Sequence, residues 1–155
     1  MQLRRLADAD VPAVVQLWHD TKRATYTFLA TERGRTLAQD DDVFRAHILA
    51  RCEIWLALEA GQLLGFLALA ERYLDRLYVA PSAQRAGVGH ALFAKACELS
   101  PDGFGLHTHV QNRAARAFYE KQGCTVVRFG ISPAPECAPD VEYHWRPPDA
   151  RHLPP

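Results

Sequence analysis

Six residues, Gln84-Arg85-Ala86-Gly87-Val88-Gly89, stand between the apolar run Leu77-Tyr78-Val79-Ala80 and a helix-like segment from His90 to Leu99. A strand that turns through two glycines into a helix presents a ring of free backbone N–H groups. Those donors sit at the positive end of the helix dipole, which makes the turn an anion site by construction. Gly87 and Gly89 carry no Cβ, so the backbone can curl and come close to a bulky oxyanion. This strand–turn–helix unit points to an α/β centre and to a ligand bearing phosphate or pyrophosphate.

Three phosphate-binding loops compete for the pattern. A nucleotide P-loop needs Gly-x-x-x-x-Gly-Lys-Ser/Thr, but Gly89 is followed by His90-Ala91, so neither lysine nor hydroxyl is in place. A dinucleotide fold needs Gly-x-Gly-x-x-Gly with an acid about 20 residues on. The third glycine is missing here, and the region near His109 carries no acid. The remaining pattern is Gln/Arg-x-x-Gly-x-Gly/Ala after a strand ending Val-x-Pro, and Val79-Ala80-Pro81 followed by Gln84 to Gly89 matches it.

A second segment, Asn112-Arg113-Ala114-Ala115-Arg116-Ala117-Phe118-Tyr119-Glu120-Lys121-Gln122-Gly123-Cys124, begins one short strand after the first helix. Asn112 suits an N-cap, Ala114, Ala115 and Ala117 favour helix, and Gly123 suits the C′ position. At 3.6 residues per turn Asn112, Ala115, Arg116 and Tyr119 share one face, which can look at a ligand. Ala114 and Phe118 face another way and can pack on the sheet.

Together the two segments resemble the acetyl-CoA pyrophosphate loop and the Asn-x-x-Ala-x-x-Phe-Tyr-x-x-x-Gly-Phe segment of the GNAT superfamily of N-acetyltransferases. Cys124 stands where the family usually has Phe. The resemblance spans residues 3 to 146 and implies a GNAT fold: α/β, with a mixed central sheet of about seven strands and helices on both faces. It implies acetyl-CoA as cosubstrate, with pantetheine pairing along Leu77-Tyr78-Val79 as an extra strand would. It implies that the Val79 N–H polarises the thioester oxygen, an oxyanion-hole role. Pyrophosphate would meet the amides of Arg85, Gly87, Val88, Gly89 and His90, with Gln84 and Asn112 in the same set. Tyr119 takes the place of the family's usual general acid.

Acetyl transfer to an amine also needs a base. Glu71, Tyr73 and Asp75 on the central strand and His109 on the next are the candidates. The expectation is water-relayed proton removal with Glu71 or Asp75 nearest. Glu71, Tyr73 and Asp75 share one face by period two, unless a bulge resets the phase. The family's acceptor wall corresponds to Tyr26, Phe28 and Leu29, with Tyr73 on the same side and Trp18 filling core. Glu32 or the Asp40–Asp42 run could draw a cationic acceptor, although such a run is more often a solvated helix start. His107 and His109 share a strand face but lack a third ligand at short range, so no metal is expected and polar packing is the better reading of them.

The chain has 155 residues and zero formal charge, with 18 basic and 18 acidic side chains. No bulk field therefore favours nucleic acid or an acidic membrane. No basic segment precedes a long apolar run, and Cys52, Cys97, Cys124 and Cys137 show no C-x-x-C spacing. The expectation is a cytoplasmic enzyme with a single domain over residues 1–146 and a tail over 147–155. Its partner would be a small-molecule or peptide amine, and a homodimer stays open. A non-catalytic acyl-CoA-binding or regulatory module on the same fold is the alternative; it would keep the glycine turn and lack working acid–base groups, which Tyr119 argues against.

The remaining elements follow from periodicity. Strands are expected over 2–6, 53–60, 63–70, 73–80, 104–110, 125–129 and 141–145, with a hairpin turn at Gly61-Gln62. Asp10 is expected to cap a helix whose apolar face is Val11, Val14, Val15 and Trp18. A second helix holds Val43, Phe44, His47 and Ile48.

Overall fold

The computed structural model describes residues 1–148, so residues 149–155 of the expected tail lie outside the described residues. Apolar residues run almost without interruption through β3 (Gln62–Ala70) and are buried against both faces, as in the centre of a doubly covered sheet, whereas the edge run Thr125–Ile131 is exposed. The strands are β1 (Gln2–Arg5), β2 (Glu53–Glu59), β3 (Gln62–Ala70), β4 (Tyr73–Val79), β5 (Phe104–His109), β6 (Thr125–Ile131) and β7 (Pro139–Trp145). They form one sheet in the order β1-β2-β3-β4-β5-β7-β6. β4 and β5 run parallel and every other neighbouring pair is antiparallel.

Helices α1 (Val11–Thr25) and α2 (Leu37–Val43) cover one face, and α3 (Val88–Leu99) and α4 (Arg113–Lys121) cover the other. On the first face Val11, Val14, Val15 and Trp18 meet Phe44, Ile48, Leu56 and Phe66. On the second Leu92, Phe93 and Tyr119 meet Leu67, Leu106, Val141 and Tyr143. Each fully buried aliphatic or aromatic side chain of this kind contributes about 1.5–3 kcal/mol. The result is the mixed, doubly covered α/β sheet that the resemblance implied. No helix among the described residues is long and apolar enough to cross a membrane.

Three local expectations need correction. The hairpin turn between β2 and β3 is Ala60-Gly61, one residue earlier than expected, because both residues adopt the positive φ (50° and 79°) that a tight two-residue turn requires. Asp10 precedes α1 but its carboxylate does not cap the helix. It accepts instead from Arg4 Nη1 and Nη2 at 2.7 and 2.9 Å and from the Ala7 N–H at 2.8 Å, tying β1 to the turn before α1.

The third correction concerns charge. Asp40 is fully buried, and Thr36 caps α2 in its place. Asp40 accepts from Lys22 Nζ at 2.9 Å and Arg35 Nε at 2.7 Å, and lies 2.6 Å from His19 Nδ1. Glu32 is buried as well, 3.4 Å from Lys22. Asp41 pairs with Arg45 at 3.0 Å. The carboxylates of Glu32 and Asp40 are therefore spent inside the protein and cannot draw a cationic acceptor. They bind α1, the connecting segment and α2 into one unit.

Burial opposes the Asp40 charge, but hydrogen bonds from Arg35, His19 and Lys22 outweigh it and hold the carboxyl below the usual carboxylate range. A folded pKa below the unfolded one contributes stability that is present above the unfolded value and lost as pH falls through the folded one. Asp40→Ala leaves His19 and Arg35 without their shared acceptor and Lys22 with Glu32 alone, at 3.4 Å, and is expected to cost about 3–5 kcal/mol at neutral pH, read from denaturant melts. The gap between parent and variant is expected to narrow in acid; a constant gap would mean that the carboxylate charge is not what stabilises.

Candidate active site

β4 and β5 pair at a single position, Tyr73 with Gly105. The Gly105 N–H donates to the Arg72 carbonyl at 3.0 Å there. Beyond that vertex the two strands carry no mutual pairing, so β4 has an open edge in the middle of the sheet. The Ala80 N–H donates to the Leu64 carbonyl at 2.8 Å. Alternate residues of an antiparallel strand address the same neighbour, so the amides of Leu77 and Val79 turn away from β3 and face the gap. The Val79 carbonyl accepts from Gln84 Nε2 at 3.1 Å, which pins the following turn back onto the strand. Leu77 and Val79 pack their side chains toward α3 and α4. Tyr78 points the other way and stacks on Phe66, with ring centroids 5.8 Å apart.

The turn itself bends through Arg85 (φ 63°) and Gly87 (φ 83°), and α3 starts at Val88. The Ala91 N–H bonds back to Gly87 at 3.0 Å, whereas no backbone bond among the described residues uses the N–H of Val88, Gly89 or His90. Those three donors point out of the helix end. The two glycines have different causes. A Cβ on Gly87 would meet nothing within 4 Å, and the positive φ is what requires glycine there. A Cβ on Gly89 would stand 3.2 Å from the Phe118 ring and 3.8 Å from Val79 Cγ2. Gly89 therefore lets α4 lean over the start of α3. His90 ties the same two helices, its Nδ1 lying 2.9 Å from Gln122 Oε1. Asn112 Oδ1 accepts from the Ala115 N–H at 3.1 Å and caps α4.

Tyr119 is buried, with its ring 5.2 Å from Phe118, 6.2 Å from Tyr143 and 6.3 Å from Phe93. This corrects the reading of α4. Tyr119 and Ala115 face the sheet, Phe118 faces α3, and Ala114 is exposed to solvent. Helical spacing groups residues into faces but does not say which face meets the sheet. Burial first, and then the neighbouring Tyr26, Cys124 and Tyr73, push the Tyr119 pKa up. The phenol stays protonated, as a proton donor must.

A bulge in β4 decides the opposite wall. Ala68 pairs with Arg76 and Leu69 with Leu74, leaving Asp75 as the extra residue. Asp75 and Arg76 consequently lie on the same face, 3.3 Å apart, with Arg51 at 3.9 Å from the carboxylate. Arg76 lies 5.8 Å from the centroid of the buried Trp18 ring. Asp75 is thus ion-paired with two guanidinium groups, while its buried Oδ2 accepts no hydrogen bond. Glu71 sits exposed in the turn between β3 and β4 (φ 55°), at the closed end of the gap. Neither acid is brought to the open edge.

Tyr26, Phe28 and His109 are brought together, as three mutually tilted rings. Tyr26 and Phe28 are 5.7 Å apart, and each faces His109, at 5.2 and 5.9 Å. Leu29 is buried and supports that segment from below. The Tyr73 hydroxyl lies 2.8 Å from His107 Nδ1 across the vertex. His107 and Arg76 were not singled out for this site; the spacing of His107 and His109 was the available signal, while Arg76 depended on a bulge that one strand alone does not reveal. Among the described residues no group of three or more His, Cys, Asp or Glu side chains is arranged to hold a metal. Depressions of about 250 Å³ beside Arg72 and Trp145 and about 390 Å³ between Gln16 and Pro81 lie outside this groove.

A model of the acetyltransferase (GNAT) family matches residues 12–124. A peptidyl-lysine N-acetyltransferase of Escherichia coli K12, YiaC, is 30% identical over 126 residues, covering 81% of this chain and 84% of that protein. A second peptidyl-lysine N-acetyltransferase of the same organism, YjaB, is 31% identical over 129 residues, covering 81% and 83%. Among solved structures, that of the Salmonella typhimurium yncA protein, a putative acetyltransferase with its cofactor acetyl-CoA, superimposes with a TM-score of 0.72. It is 16% identical and covers 100% of this chain and 97% of that one.

The two glycines are expected to fail differently. Gly87→Ala keeps the contacts and places a Cβ in a left-handed conformation, a cost of about 1–2 kcal/mol. Gly89→Val drives branched carbons into Phe118 and is expected to cost about 1–3 kcal/mol by overpacking. Phe118→Ala in the Gly89→Val background is expected to relieve part of that loss. Thermal melts check this, and strictly additive losses would remove the proposed contact.

Proposed function

The chain belongs to the acetyltransferase (GNAT) family, and from that premise we propose that it moves an acetyl group from acetyl-CoA to a primary amine by direct attack. The observation that carries this reading is the open edge of β4, whose Leu77 and Val79 amides lead into the unused N–H groups at the start of α3. An extended amide-bearing arm ending in pyrophosphate matches that succession of donors. The arm pairs as a strand would, and the anion meets a helix N-terminus.

In this reading Leu77 and Val79 pair with the pantetheine amides, Tyr78 backs the strand from its other face, and the Val79 N–H polarises the thioester oxygen. Arg85, Gly87, Val88, Gly89 and His90 receive the pyrophosphate, with Gln84 holding the turn and Asn112 capping the helix beside it. Tyr119 protonates the leaving thiolate. The raised pKa keeps the phenol protonated but makes it a weaker acid, so donation requires that the same dry surroundings raise the basicity of the thiolate as well.

The acceptor is a lysine side chain of a peptide or protein, met in the cytoplasm. Two relatives carry the name peptidyl-lysine N-acetyltransferase. Tyr26 and Phe28 are half-buried and line an aromatic wall beside the gap, suited to an alkyl stem that ends in an amine.

Incubation with acetyl-CoA and a short peptide bearing one lysine tests the reading, followed by thiol release and peptide mass. A chain that binds acetyl-CoA but releases no thiol with any amine is the binding module instead. Tyr119→Phe is expected to lower kcat by about 10²- to 10⁴-fold while calorimetry shows unchanged acetyl-CoA affinity; full turnover would assign the proton to another donor. Tyr26→Ala is expected to change kcat/KM for the peptide while acetyl-CoA affinity stays within about threefold, under about 1 kcal/mol. Peptide kinetics equal to the parent would make this segment scaffold.

A further inference from the structure

We propose that Tyr73 and His107 form a relay that carries away the proton released by the acceptor amine, with Glu142 positioning the imidazole. The inference rests on the acetyl-transfer reading and adds the group that reading lacks. The Tyr73 Oη···His107 Nδ1 hydrogen bond, 2.8 Å long, crosses from β4 to β5 two residues beyond Gly105, where those strands pair. Leu106 and Thr108 are buried, so His107 and His109 project from the other face of β5, on which Tyr26 and Phe28 meet His109. Tyr73 is thereby held on the acceptor side.

His107 stands directly opposite Glu142 on β7. Glu142 Oε1 lies 4.0 Å from His107 Nε2, and its other oxygen accepts from Arg128 Nε at 3.0 Å. His144 Nε2 lies 4.0 Å from the same Oε1. The groups facing the imidazole are therefore Tyr73 from β4 and Glu142 and His144 from β7, with Arg128 of β6 behind Glu142. The other basic candidates offer less. Asp75 is ion-paired with Arg76 and Arg51, Glu71 is in the exposed turn, and His109 has Glu136 3.9 Å from Nε2 and its Nδ1 buried away from solvent; neither the Asp75 Oδ2 nor the His109 Nδ1 has a hydrogen-bond partner through which a proton could leave.

Burial first, and then the charge of Asp75, raise the Tyr73 pKa to about 12, so the phenol is neutral at working pH. A neutral phenol cannot keep an extra proton, but it can accept one while passing on its own. As the amine nitrogen bonds to the thioester carbon, its proton moves to Tyr73 Oη and the phenol proton moves to His107 Nδ1. The carbon–sulfur bond then breaks with its electron pair on sulfur, which takes a proton from Tyr119. The imidazolium, paired with Glu142, gives its proton to solvent through a side chain that is 41% exposed, and Tyr119 regains one from solvent.

The test uses acetyl-CoA and the single-lysine peptide. His107→Gln and Tyr73→Phe are each expected to lower kcat by about 10²-fold or more, with the KM for acetyl-CoA unchanged. Each is expected to remove the acid limb of the kcat/KM profile against pH, the limb that an imidazole gives. The double variant is expected to be no worse than either single one, because the two groups act as a unit. Glu142→Gln is expected to lower kcat by less than His107→Gln does, while leaving the KM for acetyl-CoA unchanged. A parent-like pH profile in folded His107→Gln, or additive losses in the double variant, would overturn the relay. Nitrogen-15 NMR of the parent reads the hydrogen bond without any turnover. A Tyr73 donor enforces the Nε2–H tautomer of His107, and Tyr73→Phe is expected to release it. An Nδ1–H tautomer in the parent overturns the relay; the expected tautomer with an unmodified peptide counts against the acceptor reading instead.

Discussion

A sheet that fails to close in its own middle governs this molecule. β4 and β5 touch at Tyr73 and Gly105 and then part, which leaves the Leu77 and Val79 amides facing a gap. Unpaired backbone donors and acceptors in the interior of a sheet are costly, and they must find partners from a side chain, solvent or a ligand. Gln84 meets one of them, the Val79 carbonyl. The others remain available to a guest that can behave as a strand. α3 and α4 form one lip, on one face of the sheet, and the α1–α2 unit with its buried Asp40 forms the other, on the opposite face.

The elements on the two lips differ in what fixes them. α3 begins where it does because of Gly87, and α4 because of Asn112, so both are set by local backbone chemistry. The opposite lip is set by contacts far apart in sequence. Asp40 gathers His19, Lys22 and Arg35 from α1 and the connecting segment.

The same difference explains what could be read from residue order alone. The glycine turn, the helix after it, the strand count and the aromatic character of the Tyr26–Phe28 segment all rest on residue types within a few positions of each other. Asp40 could not be told from a solvated helix start, because its burial depends on partners from another helix and loop. The bulge at Asp75 depends on how Ala68 and Leu69 meet β4, so one strand alone could not show that Asp75 and Arg76 share a face. The side of α4 that meets the sheet depended on where α3 lay. His107 was visible as a residue but not as a partner of Tyr73, since the two are joined only through the parallel bridge.

Gly89 and Phe118 make the two helices of the first lip into a joint with almost no clearance. The ring occupies the space a methyl group would need, so the first turn of α3 and the middle of α4 keep a fixed relative position. Phe118 is the chain neighbour of Tyr119, and its ring lies against Tyr119 at 5.2 Å. A displacement of the helix start is thus transmitted to the phenol through two adjacent aromatic rings. The tolerance on the start of α3 is also the tolerance on the Tyr119 ring. Spreading α3 from α4 would displace both at once, so any widening of the groove has to come from the β5 side.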